Sequence, residues 1–265
     1  MELKQAQRKQ IKLKVGFSGA SGFGKTYSAL LMAYGVTNDW SKIAVVDTEN
    51  GSADLYSDLG EYNTLTLKPP FSPENYIKAI KICEDANMEL IIIDSITHEW
   101  EGEGGCLQIV ESLGGRYQDW GKVTPRHNAF IQAIIQSKCH IFTTVRRKQD
   151  YDMVKNDKGK MEVQKVGTKE VTREGFEYEI TLNFEFINDK HLVKASKDRT
   201  GLFMNKPEFV ITSETGQQLK EWSNSGATEQ PKPELTPEQI ELKNKINHAI
   251  TQVELCETAE QVYLS

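Results

Sequence analysis

Cysteine is scarce in this chain and long apolar runs are missing, and both absences narrow the field. The four cysteines among 265 residues (Cys83, Cys106, Cys139 and Cys256) are scattered, with no C-x-x-C pair and no histidine cluster nearby. That spacing excludes a disulfide framework as the organising device and fits free thiols in a reducing compartment. His98 and His140 are isolated in the same way, which is a poor start for a metal site. No run of 18 apolar residues occurs, so no transmembrane helix and no membrane partner are expected. The first nine residues, Met1 to Lys9, are charged and lack the apolar stretch of a signal peptide. A cytoplasmic location is therefore expected.

An excess of positive charge is lacking too. The net charge is −6, which argues against a chain coated in cations for nucleic acid. Its distribution is uneven, however. Arg146 to Glu174 holds nine Lys/Arg against six Asp/Glu, and Lys190 to Lys206 holds five against one. From Glu229 onward three Lys face seven Glu. The overall sign is thus no guide to any one surface.

What the chain does have is an eight-residue pattern. Residues 19 to 26 read Gly19-Ala20-Ser21-Gly22-Phe23-Gly24-Lys25-Thr26, a complete G-x-x-x-x-G-K-[ST] phosphate-binding loop. A strand-like run (Ile11 to Ser18) precedes it and a helix-like run (Tyr27 to Tyr34) follows. That context makes the segment from Gly19 to Tyr27 a nucleoside-triphosphate site. Gly19, Gly22 and Gly24 allow backbone N–H groups to turn in around the β- and γ-phosphates. Lys25 sets a positive charge on those phosphates, and the Thr26 hydroxyl is the expected Mg²⁺ ligand.

Strand-like and helix-like runs then alternate, as in a parallel sheet covered on both faces. Lys42 to Asp47 reads as a strand. Ser72 caps a helix that has Pro73 in its first turn and reaches Ala86. Glu89 to Asp94 is a buried strand without alternation, and a helix is expected from Pro125 to Lys138. His140 to Val145 is a further strand. Lys148 to Gly175 reads as a hairpin or a mobile loop with Asn156-Asp157-Lys158-Gly159 at its turn. Glu177 to Ile187 and His191 to Ala195 are expected strands around a turn at Asn188-Asp189-Lys190. The expected organisation is a core over residues 1–222, a Ser/Gly/Pro/Glu-rich linker over 223–235 and a helical tail over 236–265.

A phosphate loop needs an acid across the sheet to complete the metal site, and Asp94, ending the Leu90–Ile93 run, is placed for it. Hydrolysis also needs a group to orient water. Glu49 and Glu99 both follow strand ends, where ligands of open α/β sheets bind. The motif alone does not choose between them.

The ordered set resembles the RecA/DnaB-like branch of P-loop ATPases. It comprises the phosphate loop, Asp47-Thr48-Glu49, Asp94-Ser95, Thr143-Thr144-Val145-Arg146 and Lys197-Asp198-Arg199-Thr200-Gly201. The likeness covers roughly residues 10 to 220 and is closest to compact RecA-like ATPases of bacteriophages, including ATP-dependent single-strand annealing proteins. It implies an α/β fold, a RecA-like P-loop NTPase core with a mostly parallel sheet flanked by helices, followed by a C-terminal linker and helix. It also implies Glu49 as the water-activating residue, ATP and Mg²⁺ as cofactors, and Lys197 and Arg199 reaching the γ-phosphate of a neighbouring subunit. A homo-oligomer, ring or filament, follows from that last point. Thr144 stands at the sensor position, where RecA has a glutamine that reaches farther. The resemblance further implies single-stranded DNA as partner in recombination, annealing or replication, and a bacterial host cytoplasm for a phage protein. Its expected contacts are Arg146, Arg147, Lys148, Lys155, Lys158 and Lys160. The terminal helix, with an apolar stripe at Ile240, Leu242, Ile246, Ile250 and Val253, must bury on something. A single-strand-binding or replication partner is one candidate. The alternative function is a nucleotide-dependent switch or loader with little turnover.

Overall fold

The computed structural model of the chain describes residues 10–155 and 161–226, with side chains for all of these except 151–155 and 161–166. They fall within one compact unit ending at Ala227. The expected helical tail and most of the expected linker lie outside the described residues.

The chain runs β1 (Lys14–Gly19), α1 (Lys25–Thr37), β2 (Ile43–Asp47), β3 (Asn63–Thr66), α2 (Pro73–Asp85), β4 (Leu90–Asp94), α3 (Thr97–Glu101) and α4 (Cys106–Ser112). It continues as α5 (Trp120–Gln136), β5 (His140–Lys155), β6 (Met161–Glu170), α6 (Phe176–Glu179), β7 (Leu182–Phe186), β8 (Leu192–Asp198), β9 (Phe209–Val210) and α7 (Ser213–Asn224). The strand order is β3-β2-β4-β5-β1-β7-β8-β9, and β6 pairs with β5 alone. β1 to β5 and β7 are parallel, whereas β8 and β9 close the edge antiparallel. One strand, β5, therefore separates the phosphate-loop strand from the strand that ends in Asp94. The architecture is the mostly parallel α/β sheet flanked by helices expected from the sequence.

Strand alternation explains why the central runs are apolar throughout. Successive side chains leave a strand on opposite faces. Leu90 and Ile92 pack with α1 residues such as Leu30, Met32 and Ala33 and with Leu219 of α7. Ile91 and Ile93 pack with Tyr76 and Ile80 of α2 and with Phe130 and Ile134 of α5. A polar residue on either face would be stranded between sheet and helix.

Several boundaries differ from the sequence reading. α5 starts at Trp120, so Pro125 sits inside the helix and not at its start. The carbonyl that loses the proline's N–H as partner is that of Gly121, which is solvent-exposed, so the missing bond is cheap. The Lys148–Gly175 region forms a hairpin, with β5 paired antiparallel to β6 from Arg147↔Glu170 to Lys155↔Met161. Residues 177–179 are helical and not strand. α7 runs through Asn224 into the segment read as linker.

Candidate functional site

The carboxyl ends of β1, β2, β4 and β5 converge on one cleft. It is lined by Ser21, Gly22, Gly24, Lys25, Thr26, Tyr27, Glu49, Tyr56, Asp94, Arg146 and His191, and encloses about 380 Å³. Gly24 caps α1 at φ 88°, in the left-handed region where a side chain is strained. A Cβ there would also lie 2.5 Å from His191 Nδ1. Gly19 serves differently from the turn role expected of it: a Cβ there would meet Phe186 Cβ at 2.7 Å, so its small size admits β7.

Lys25 Nζ donates to the Ala20 carbonyl at 2.8 Å, which draws the ammonium across the loop. Burial lowers its pKa, while Asp94 and Glu49 act the other way. Thr26 Oγ1 donates to Asp94 Oδ2 at 2.6 Å. Thr144, at the sensor position, donates to the other oxygen, Asp94 Oδ1. Asp94 is fully buried, and burial raises its pKa against the pull of these two hydroxyls and of Lys25. The hydroxyl of Thr26 and a carboxylate oxygen of Asp94 thus share one small volume beside the lysine. Two hard oxygens arranged in this way suit a divalent cation of the magnesium type.

The chain turns after β2 and β4 are tied together. Thr48 N donates to the Asp94 carbonyl at 2.8 Å, and Ser95 N donates to Thr48 Oγ1 at 2.9 Å. His98 Nδ1 is 2.7 Å from the same hydroxyl. Asp47 accepts from the backbone N–H of Glu49 at 2.6 Å and of Ala53 at 3.2 Å, which shapes the turn carrying Glu49 into the cleft. The 3₁₀ segment Ser52–Leu59 follows. The Asp94–Ser95 peptide bond is cis.

The two candidate glutamates occupy different environments. Glu49 lines the cleft. Glu99 is fully buried in α3, where His127 Nδ1 lies 3.0 Å from Oε1 and the Cys106 thiol donates to it at 3.1 Å. These three residues are a cluster compatible with a metal ion, built from positions that sequence spacing does not connect.

Lys197 and Arg199 lie elsewhere. Lys197 pairs with Asn183, and Arg199 N donates to the Thr181 carbonyl at 3.0 Å. Thr181 N in turn donates to Lys14 O at 2.8 Å, so Arg199 is level with the start of β1. The phosphate loop begins five strand residues farther on, about 16 Å away at the usual rise. Lys197 Nζ donates to Glu177 O at 2.5 Å and Arg199 to Tyr178 O at 2.7 Å.

Of the cations expected to meet nucleic acid, Arg146 pairs with Glu49 at 2.7 Å, and Arg147 lies 3.7 Å from Glu170 and 3.4 Å from Glu185. Lys148 pairs with Glu101 at 2.7 Å. Lys158 and Lys160 lie outside the described residues, as does the side chain of Lys155. The sequence reading passed over His191, whose Nδ1–H donates to Phe23 O at 2.9 Å from the β7–β8 turn. Only the strand order, which puts β7 beside β1, exposes that neighbourhood.

The family described as AAA domain matches residues 11–210. The chain belongs to the AAA domain family. It is a P-loop ATPase, and the match spans both the phosphate loop and Asp94. A search of curated proteins finds no match. Among solved structures, the chain resembles a KaiC-like protein from the hyperthermophilic archaeon Pyrococcus horikoshii at 16% identity, over 76% of this chain and 86% of that one, with a TM-score of 0.44. No helix among the described residues is long and apolar enough to cross a membrane.

Proposed function

We propose that the chain is a Mg²⁺-dependent ATPase of the RecA-like type that works as a homo-oligomer on single-stranded DNA, in phage-type recombination, strand annealing or replication. The observation that carries this reading is the separation of two half-sites. Lys25, Thr26, Asp94 and Glu49 meet in the cleft, while Arg199 stands level with the start of β1 and Lys197, opposite Asn183 and through it Gly16, stands two strands away from β1 near its middle. In this reading the lysine and the arginine serve the phosphate loop of a neighbour and not their own.

In this reading Lys25 neutralises the β- and γ-phosphates, and Thr26 and Asp94 would hold Mg²⁺. Magnesium, when bound, spreads the phosphate charge. Glu49 takes a proton from the attacking water as its oxygen bonds to the γ-phosphorus. The bond from that phosphorus to the bridging oxygen breaks, and ADP leaves carrying the electron pair. Lys197 and Arg199 of the next subunit stabilise the charge that builds on the transferred group. The β5–β6 hairpin is the element offered to DNA. The cations at its base are matched by Glu101, Glu170 and Glu185, so the contact is assigned to the part toward Lys155, Lys158 and Lys160.

The test is ATP hydrolysis with and without single-stranded DNA across a protein-concentration series. Stimulation that rises cooperatively with protein supports the reading. A DNA-indifferent rate that is flat with concentration contradicts it.

A second reading, a nucleotide-dependent switch or loader with little turnover, draws on Thr144. Its hydroxyl is engaged by Asp94, and it is shorter than the glutamine of the resemblance. Function retained in Glu49→Gln but lost in Lys25→Ala favours this second reading. The tail is then its route to a single-strand-binding or replication partner.

A further inference from the structure

Arg146 occupies the junction between the central sheet and the hairpin. Opposite Gly19 it still belongs to the sheet, and from Arg147 onward β5 pairs with β6. Its backbone is fixed on both sides: its N–H donates to Thr97 Oγ1 at 2.9 Å, and its carbonyl accepts from Val171 N at 2.8 Å. The side chain turns back into the phosphate cleft. Its Nε donates to Glu49 Oε1 at 3.0 Å, and a terminal guanidinium nitrogen reaches the same oxygen at 2.7 Å. Ser95 Oγ donates to Oε1 as well, at 3.3 Å.

We infer that Arg146 is a positioning residue for the water-activating carboxylate, and that it links this carboxylate to the hairpin. A glutamate in an open cleft samples many rotamers, and each misplaced one is unproductive. The described donors all converge on Oε1, so they fix the carboxylate and make Oε2 the oxygen that takes the proton. Arginine suits the task because its planar fork presents two N–H groups in a fixed geometry, which the rotating ammonium of lysine lacks. The link to the hairpin is covalent: Arg146 and Arg147 are consecutive, so a ligand that shifts the hairpin shifts the group holding Glu49. Such a route supplies a coupling between nucleic acid and hydrolysis that does not need Thr144. Sequence position alone groups Arg146 with the nucleic-acid cations; its geometry assigns it to the nucleotide side. This inference rests on the reading of Glu49 as the group that activates water.

The test compares the full-length wild type with Arg146→Ala, Arg146→Lys and Glu49→Gln, measuring kcat, KM, ATP affinity and melting temperature with and without single-stranded DNA. Arg146→Ala is expected to lower kcat by about ten- to hundredfold, the scale of a misplaced catalytic group. KM, ATP affinity and melting temperature should stay near wild type, and stimulation by DNA should shrink. Arg146→Lys should recover part of the loss. An unchanged or raised kcat in Arg146→Ala overturns the inference, and so does a loss confined to ATP affinity, which would make Arg146 a phosphate ligand. Glu49→Gln separates the two layers. If it turns over normally, the reading of Glu49 fails. If it is silent while Arg146→Ala is normal, only the positioning role fails.

Discussion

The two ends of the central sheet differ in how their charged groups are held. At the carboxyl end each functional group is fixed by several others. Asp94 accepts from Thr26 and Thr144, and Glu49 is held by Arg146, Ser95 and, through its backbone, Asp47. Toward the amino end, Arg199 and, nearer the middle, Lys197 donate to two backbone carbonyls of α6. In the proposed reading the first arrangement is preorganised for chemistry within one subunit, and the second supplies cations to a neighbour. Burial follows the same division: Asp94 is 3% exposed, whereas the Arg199 contact is at the surface.

Substitutions at the two ends should therefore fail in different ways. The largest effect on ATP affinity is expected from Lys25→Ala, which removes the charge facing the phosphates. ATP affinity should fall about a hundredfold or more, since charge-assisted contacts to phosphate are among the strong ones. Equilibrium binding of a fluorescent ATP analogue measures it. Arg199→Ala should instead leave that affinity unchanged and lower turnover by about a thousandfold, the lower range for an arginine finger. Equal damage to affinity in both variants would erase the distinction between the ends. Gly24→Ala comes next, because it combines a left-handed backbone with a 2.5 Å approach to His191. It should lower both nucleotide affinity and melting temperature, and adding His191→Ala should relieve only the steric part.

The smallest effect is one of pH and belongs to the amino end. His140 Nδ1 accepts from Leu13 N at 2.9 Å, and burial, helped by Lys12, Lys14 and Lys220, lowers its pKa from 6.5 to about 3. Below pH 6.5 the unfolded chain gains a proton that the folded chain refuses. Stability present above that pH is thus lost progressively as pH falls toward 3. Melting curves from pH 7 to pH 5 should show the decline in wild type and a flatter profile in His140→Gln.

How far the sequence discloses this molecule depends on whether the information is local. The phosphate loop, β4 with its terminal Asp94 and the capped start of α2 are each contained in a few consecutive residues, and they lie where expected. Pro125 misled because proline favours a helix start, yet an exposed carbonyl four residues back makes it tolerable further in. That Glu49 lines the cleft while Glu99 is buried depends on which turn faces the cleft and on His127, 28 residues beyond Glu99, lying against the Glu99 carboxylate. His191 and the pairing of Arg146 with Glu49 depend on strand order, which no single segment encodes. The one available signal for Arg146 was its place at the last position of β5's central-sheet portion, at the same sheet end as Glu49.

Mixing two inactive proteins tests the shared-site account most directly. Lys25→Ala keeps Lys197 and Arg199 but lacks a working phosphate loop, whereas Arg199→Ala has the loop but lacks the donated arginine. If the sites are shared between subunits, an equimolar mixture hydrolyses ATP well above the sum of the two variants alone. If each site is complete within one chain, the mixture gives no more than that sum, and the separation of the two half-sites has no catalytic meaning.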